Sequence, residues 1–104
     1  MADLWEVISD PHRRQLVQLL GEGEQSVTAL AAHFPVSRSA ISQHLLLLVE
    51  VGLVTARKEG RNRYYRLHHD GTERLQKMFD TFWNNELELL LTQAQQVHVN
   101  KGES

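Results

Sequence analysis

The chain has 104 residues, a formal net charge of −2 and no cysteine. This length predicts one domain, because domains cluster around roughly 100–150 residues. The lack of cysteine excludes disulfide bonds, thiolate metal sites and thiol redox sensing, and the lack of a long apolar run excludes a membrane-spanning helix. The first ten residues, MADLWEVISD, are acidic where a secretory signal is basic, so we expect a cytoplasmic protein.

Charge is distributed unevenly along the chain. Residues 36–66 carry six basic and two acidic side chains, a local charge of +4, whereas the segments on either side each carry −3. A basic middle between acidic ends is typical of a surface that binds nucleic acid. The alternative is a solvated charged face without a partner.

Two helices are predicted near the N-terminus. Leu4, Trp5 and Ile8 have the spacing of a short amphipathic helix. Asp10 then suits the N-cap of a second helix, and Pro11 suits its first position, where a missing N–H is not needed. The leucines that follow form an apolar stripe, which favours packing of this helix into the core.

Two further helices joined by a short turn are predicted next. Ser26 is the expected N-cap of the first. The second begins after a proline and places Ile41, Leu45 and Leu48 on one apolar face. The polar residues at its start then point outwards, as in a helix that enters the DNA major groove and contacts base edges. This predicts a helix-turn-helix that binds DNA through Ser37, Arg38, Ser39, Ser42, Gln43 and His44.

The period changes after residue 52. The stretch LVTARKEGRNRYYRLH alternates around the turn-forming residues Gly60 and Asn62, which predicts a β-hairpin. A basic hairpin tip suits contact with phosphates or the minor groove. The alternative is a hairpin whose charges only protect its edges. We expect a wing that holds the DNA backbone through Arg57, Lys58, Arg61 and Arg63.

The last predicted helix is long and amphipathic. Asp70 and Glu73 form a variant capping box, and apolar residues then recur every three or four positions. A helix of roughly 25 residues spans close to 40 Å, more than a small domain covers, so part of its apolar face should bind a second copy. The alternative is a ligand pocket lined by Phe79, Phe82 and Trp83. The expected dimer interface comprises Leu4, Trp5, Ile8, Phe79, Phe82, Trp83, Leu87 and Leu90.

These elements predict a mostly α fold with a small β-hairpin, of the α+β class. Residues 1–98 should form a single winged helix-turn-helix domain with a long C-terminal dimerisation helix, and residues 99–104 should be a disordered tail. Helix-turn-helix dimers bind two half-sites about one helical turn apart. The expected partners are therefore a double-stranded DNA operator and a second copy of the chain.

Three motifs in order resemble the ArsR/SmtB family of bacterial winged-helix repressors, over about residues 4–95. They read ISDPHRRQLVQLL, VSRSAISQHLLLL and VGLVTARKEGRNRYYRL. The resemblance implies a homodimer with the first and last helices at its interface. It also implies binding to a palindromic operator, usually to repress transcription, with release on some signal.

The sequence departs from the metal-sensing members of that family. Those members bind metals or arsenite through cysteines on the DNA-reading helix, or through Asp, His and Glu sets on the terminal helix. Cysteine is absent here, and the last helix has scattered carboxylates and a lone His98. His68 and His69 are adjacent on a predicted strand, so their rings should point to opposite faces. We predict no metal site and no cofactor, and the sequence identifies no small-molecule effector.

Enzyme activity is not predicted either. His12, His33, His44 and His98 lie on separate predicted helices without evident partners, and no phosphate-loop or nucleophile-elbow motif is present. A winged helix used only for protein–protein contact is the remaining alternative. Such a module can dispense with Arg38, Gln43 and a basic wing. The sequence therefore predicts a sequence-specific DNA-binding transcriptional regulator, a homodimeric repressor.

Overall fold

The computed structural model describes residues 3–93, without the side chains of residues 86 and 87. The chain divides into two compact units, the first ending at Glu73 and the second beginning at Arg74. Among the described helices, none is long and apolar enough to cross a membrane. The elements are α1 (Leu4–Ile8), α2 (Pro11–Leu20), β1 (Gln25–Ser26), α3 (Val27–Ala31), α4 (Arg38–Glu50), β2 (Val54–Glu59), β3 (Asn62–Leu67) and α5 (His69–Phe82), followed by a π-helical segment (Trp83–Leu87).

Polar N-caps begin three helices of the first unit where the sequence predicts them. The Asp10 carboxylate accepts hydrogen bonds from the backbone N–H groups of His12 (2.8 Å) and Arg13 (3.3 Å), at the start of α2. Ser26 and Ser37 begin α3 and α4, and each hydroxyl accepts from the N–H three residues further on at 3.1 Å. These bonds satisfy donors that the first turn of a helix leaves unpaired. Local sequence therefore determines where the helix-turn-helix begins.

The core of the first unit is centred on α4. Ile41, Leu45 and Leu48 are fully buried, as their i, i+4, i+7 spacing predicts. The helix packs against α2, α3 and β2. Leu16 of α2 and Leu30 of α3 are also fully buried. Burial of this face leaves the polar residues at the start of α4 directed towards solvent.

A Schellman motif ends α4. Gly52 has φ +80°; its N–H donates to the Val49 carbonyl, and the N–H of Leu53 donates to the Leu48 carbonyl, both at 3.0 Å. Gly71, in the first turn of α5, approaches this turn closely: a Cβ placed on it would lie 1.8 Å from the Gly52 carbonyl oxygen. The two backbones therefore pack directly on each other, which requires glycine at position 71.

The predicted hairpin is confirmed, with Arg61 at its tip. Glu59 pairs with Asn62, which leaves Gly60 and Arg61 as a two-residue turn. Gly60 has φ +61°, and a positive φ at the first central position is common in such hairpin turns. The strand β1 was not predicted; it pairs with β3 to give a three-stranded antiparallel sheet in the order β1-β3-β2.

The start of α5 corrects two predictions. His69 is already helical, so Asp70 lies in the first turn of α5 and is not the N-cap of a capping box. His68 and His69 are not on a strand, since β3 ends at Leu67. The helix begins early because the N–H of Thr72 donates to the His68 carbonyl at 3.0 Å.

The second unit continues as a helix that is interrupted once. Its α-helical geometry changes to π-helical over Trp83–Leu87 and returns to α-helical over residues 88–93. The rings of Phe82 and Trp83 meet edge to face, with their centroids 5.6 Å apart. The sequence predicted one uninterrupted α-helix here. The predicted domain boundary at residue 98 and the predicted tail at residues 99–104 lie outside the described residues.

Candidate nucleic-acid interface

A groove of about 510 Å³ lies between α4, here called the reading helix, and the β2–β3 hairpin, here called the wing. Both walls contain residues that the sequence predicts to bind DNA. The reading helix and the wing are separate in sequence, but the fold brings their predicted contact residues onto one surface. The predicted residues that line this groove are Arg38, Ser42, Gln43, Lys58, Arg61 and Arg63.

Helix and strand periodicity explain how these side chains come to share the groove. Arg38 and Ser42 are four residues apart on the reading helix, which places them on one side of it. On the wing, Lys58 pairs with Arg63, and alternate residues of a strand point to the same face. Each wall therefore presents its polar residues as a continuous row.

Positive charge in the groove is not neutralised by neighbouring carboxylates. Within the described part of the chain, no acidic group lies within 4.0 Å of the basic nitrogens of Arg38, Lys58, Arg61 or Arg63. All four side chains belong to exposed residues. Four such cations around one concave surface concentrate a positive potential there, which attracts a polyanion.

The groove also has lining residues that sequence reasoning missed. Asn62 lines it, although the sequence suggested only a turn role for this residue. Leu46, one helical turn after Ser42, is 51% exposed beside it. Periodicity could have identified Leu46, because it continues the row that begins at Arg38. The apolar remainder of the lining consists of Val27, Val49, Ala56 and Tyr65.

Arg57 lies on the other face of the wing from Lys58. Its guanidinium donates to both carboxylate oxygens of Glu24 (2.9 and 2.8 Å) and to Glu59 (2.7 Å), and it covers the ring of Tyr64 at 4.7 Å. The hydrogen bond from Arg57 lowers the pKa of Glu24 below its ordinary value, and the same bond raises the pKa of Arg57. The contact between Arg57 and DNA stays a prediction, and in this structure the guanidinium binds the carboxylates of Glu24 and Glu59.

His44 lies on the reading helix but its ring meets α2. Its Nδ1 is 3.2 Å from Nη1 of Arg13, and its ring centroid is 5.5 Å from that of His12. Burial lowers the pKa of His44; nearby Asp10 acts to raise it, and the charge of Arg13 acts to lower it. The prediction that His12 and His44 lack partners is wrong, because α2 and α4 pack together although they are distant in sequence.

The two remaining serines lie at the exposed start of the reading helix. The Ser37 hydroxyl is the N-cap acceptor of that helix, and Ser39 is exposed one residue into it. Neither lines the groove as described. Both lie beside a helix N-terminus, where backbone N–H groups favour a phosphate.

The predicted dimer residues differ in how far their side chains are exposed. Ile8 is only 6% exposed in the single chain, so most of its side chain is already buried in the core, and its place in the interface stays a prediction. Leu4 is half-buried. The side chain of Leu87 lies outside the described part. The other five predicted interface residues are exposed in the single chain: Trp5 (40%), Phe79 (37%), Phe82 (44%), Trp83 (51%) and Leu90 (59%).

Comparison with known proteins identifies the family. The sequence model of the bacterial regulatory protein, arsR family, matches residues 10–56. The HTH-type transcriptional regulator Rv2034 of Mycobacterium tuberculosis is 40% identical over 83 residues, which cover 80% of this chain and 78% of that protein. The chain belongs to the ArsR family.

Further relatives support the assignment of this chain to the ArsR family. The arsenical resistance operon repressor of Staphylococcus xylosus is 34% identical over 80 residues, 77% of each chain. The crystal structure of a possible transcriptional regulator for arsenical resistance superimposes with a TM-score of 0.81 and 58% identity, over 89% of this chain and 97% of that one. The predicted family and winged-helix fold are confirmed, and the chain is a DNA-binding transcriptional regulator.

Proposed function

We propose that this ArsR-family regulator represses transcription by binding, as a homodimer, to a palindromic operator. The observation that carries the proposal is the groove, in which three wing cations face the polar row of the reading helix, itself begun by Arg38. Among the described residues, no carboxylate lies within 4.0 Å of these four cations. The reading helix inserts into the major groove, and the wing follows the adjacent backbone. In this arrangement the reading helix contacts the bases and the wing contacts the phosphate backbone.

The side chains of the reading helix suit base recognition. Arg38 can pair with the O6 and N7 atoms of guanine, and Gln43 with the N6 and N7 atoms of adenine. The Ser42 hydroxyl can donate or accept, and Ser37 and Ser39 can contact phosphates at the helix N-terminus. We assign sequence discrimination to Arg38, Ser42 and Gln43.

The wing cations suit the phosphate backbone. Lys58, Arg61 and Arg63 are held on one hairpin and bind phosphates without reading sequence. Arg57 supports this indirectly, since its bonds to Glu24 join the wing to the segment before β1. His44 contacts Arg13 of α2, so we assign it to holding the reading helix against α2.

A homodimer accounts for the exposed aromatic and leucine side chains. A single chain leaves Phe82, Trp83 and Leu90 between 44% and 59% exposed, and burial of such surface favours association. A two-fold symmetric dimer presents two identical reading helices, which match a palindromic site with half-sites roughly 34 Å apart. Residues 94–98 of the predicted interface helix lie outside the described part.

The named relatives support the proposed repression, and the DNA partner supports a cytoplasmic location. The Staphylococcus xylosus protein is named a repressor, and a dimer bound over a promoter obstructs polymerase. Bacterial promoter DNA is in the cytoplasm. The proposed activity is binding alone, without a catalysed reaction or a cofactor.

Fluorescence anisotropy tests this proposal. A labelled duplex from the region upstream of the protein's own gene is titrated at several salt concentrations, beside a scrambled duplex. We expect a preference of at least roughly a thousandfold for the upstream duplex and a steep salt dependence. Absence of binding to either duplex at low salt would overturn the proposal and favour the protein-interaction alternative.

A further inference from the structure

We propose that Leu46 of the reading helix recognises the C5-methyl group of a thymine in the operator, an inference that rests on the proposed function. The Leu46 side chain is 51% exposed and lines the groove that also contains Ser42 and Gln43. Base edges in the major groove carry hydrogen-bond donors and acceptors and, on thymine alone among the four bases, a methyl group. An apolar side chain on this wall therefore has one base that it contacts favourably.

Helix periodicity places Leu46 on the base-reading side of the reading helix. It follows Ser42 by one turn and continues the row that begins at Arg38, and all three residues line the groove. Leu45 and Leu48, its neighbours in sequence, belong to the fully buried face of the same helix. Leu46 is therefore outside the set of leucines that packs this helix into the core.

Leu46 is the most exposed large apolar side chain described in the first unit. The other exposed one is Trp5, at 40%, which belongs to the predicted dimer interface. A dimer contact does not account for Leu46, because a second copy that covered it would also close the groove against DNA. Burial of apolar surface against a methyl group releases water from both groups and favours binding.

The other apolar residues that line the groove offer less surface to a base. Val27 and Tyr65 are each only 6% exposed, and Val49 is half-buried. Ala56 of the wing is exposed, but its side chain ends at Cβ. Among these described lining residues, Leu46 is therefore the one that is both large and exposed, which assigns the methyl contact to it.

The spacing along the helix predicts where the thymine lies. Leu46 is four residues beyond Ser42, roughly 6 Å along the helix axis at about 1.5 Å per residue. A reading helix that lies along the major groove, where base pairs are about 3.4 Å apart, then places the thymine about two base pairs from the base that Ser42 contacts. Leu46 thus extends the reading to a base pair beyond those of Arg38 and Ser42.

Replacement of thymine by deoxyuridine tests the contact. Deoxyuridine pairs with adenine in the same way and lacks only the methyl group. In a series of upstream duplexes, one symmetric pair of thymines is replaced at a time, and anisotropy gives the affinity at fixed salt. Burial of one methyl-sized group is worth about fourfold in affinity, so the wild type should lose roughly fifteenfold at one pair of positions and little elsewhere. Equal affinity for every duplex in the series overturns the proposal.

Leu46→Ala connects this loss to the side chain. The variant should bind the thymine operator more weakly than the wild type does, and the same uridine pair should then cost it almost nothing. Leu46→Met keeps a large apolar side chain and should retain most of the difference between thymine and uridine. Leu89→Ala is the matched control, because Leu89 is 53% exposed but belongs to the second unit, so the difference should stay as in the wild type. A full uridine loss in Leu46→Ala overturns the assignment.

Methylation of cytosine gives a test in the opposite direction. A C·G pair at the contacted position removes the methyl group, and 5-methylcytosine restores it at the same ring atom without changing the donors and acceptors of cytosine. Methylation should raise wild-type affinity by about fourfold per half-site and leave that of Leu46→Ala unchanged. Misfolding does not produce such a gain. Equal wild-type affinity for the two duplexes contradicts the methyl contact.

Failure of the proposed function is recognised separately. In that case the wild type shows no preference for the upstream duplex over the scrambled one. If the upstream duplex is preferred but uridine costs nothing at any position, the proposed function stands and the role of Leu46 is overturned.

Discussion

Individual side chains around the groove differ chiefly in what surrounds their charge. Arg61 is exposed at the tip of the wing, beside the groove, with no described carboxylate in salt-bridge range. Arg57 carries the same charge but is held by Glu24 and Glu59. A phosphate gains little from a guanidinium that two carboxylates already bind, so formal charge along the sequence overstates what the wing offers to DNA.

Removing Arg61 should weaken binding to every duplex alike. Arg61→Ala deletes one phosphate contact, so affinity should fall for operator and scrambled duplex together and the log–log salt slope should flatten by about one. Anisotropy across a salt series measures both quantities. Arg66→Ala removes an equal charge from the opposite face of the wing and serves as the control. A loss confined to one sequence would contradict a backbone role for Arg61.

Removing Arg38 should instead reduce discrimination between sequences. A bidentate contact to guanine is worth about 1–3 kcal/mol against the wrong base. Arg38→Ala should therefore lose operator affinity by about that amount and change scrambled-duplex affinity much less. Competition binding against single-base operator variants identifies the base pair involved. Equal losses on both duplexes would reassign Arg38 to a phosphate.

At the scale of elements, capping and periodicity predicted most of the fold. Asp10, Ser26 and Ser37 are local signals, and each begins a helix as expected. The two-residue β1 was missed because it is too short to show alternation, and its pairing with β3 depends on tertiary contact. In the site, the residues that share one face of a helix or strand could be predicted from their spacing. The Arg57–Glu24 and His12–His44 contacts could not, because they join residues more than 30 positions apart in the sequence.

The packing of α5 against the end of α4 predicts a large effect at one glycine. Gly71→Ala drives a methyl group into the Gly52 carbonyl, and backbone cannot move as a flexible side chain can. Overpacking of this kind typically costs about 1–3 kcal/mol of unfolding free energy. Urea denaturation measures it. Gly21→Ala, whose Cβ would lie 3.1 Å from the Gln18 carbonyl, should cost less. A comparable loss at both positions would contradict the close approach.

The Glu24–Arg57 pair predicts how acid affects the first unit. The hydrogen bond from Arg57 lowers the pKa of Glu24 from 4.5 in the folded chain, so the unfolded chain binds the proton more readily. The pair therefore contributes stability above about pH 4.5 and loses it as pH falls through the lowered folded pKa. Thermal melts from pH 7 to pH 3 should show a smaller acid-induced fall in Tm for Glu24→Gln than for the wild type. Glu22→Gln, a neighbouring exposed change, should behave like the wild type.

For the whole molecule, the main expectation concerns association. Trp83→Ala removes a large apolar side chain that is 51% exposed in the single chain. If a second copy covers it, the dimer dissociation constant should rise by roughly tenfold or more, because buried Trp residues dominate many interfaces. Sedimentation velocity over a dilution series measures this. Gln76→Ala, an exposed polar change on α5, is the control. An unchanged dimer would exclude Trp83 from the interface.

The strand β1 has a consequence for the kind of DNA that this regulator accepts. Ser26 pairs with Tyr64 of the wing and also caps α3, so one residue belongs to both the sheet and the helix-turn-helix. These contacts restrain the wing relative to the helix-turn-helix, so we expect the separation of wing and reading helix to adjust little to the duplex. Operators that must bend or change groove width to fit will pay a deformation energy. Flexible pyrimidine–purine steps between the two contacts should thus improve binding at positions that no side chain touches.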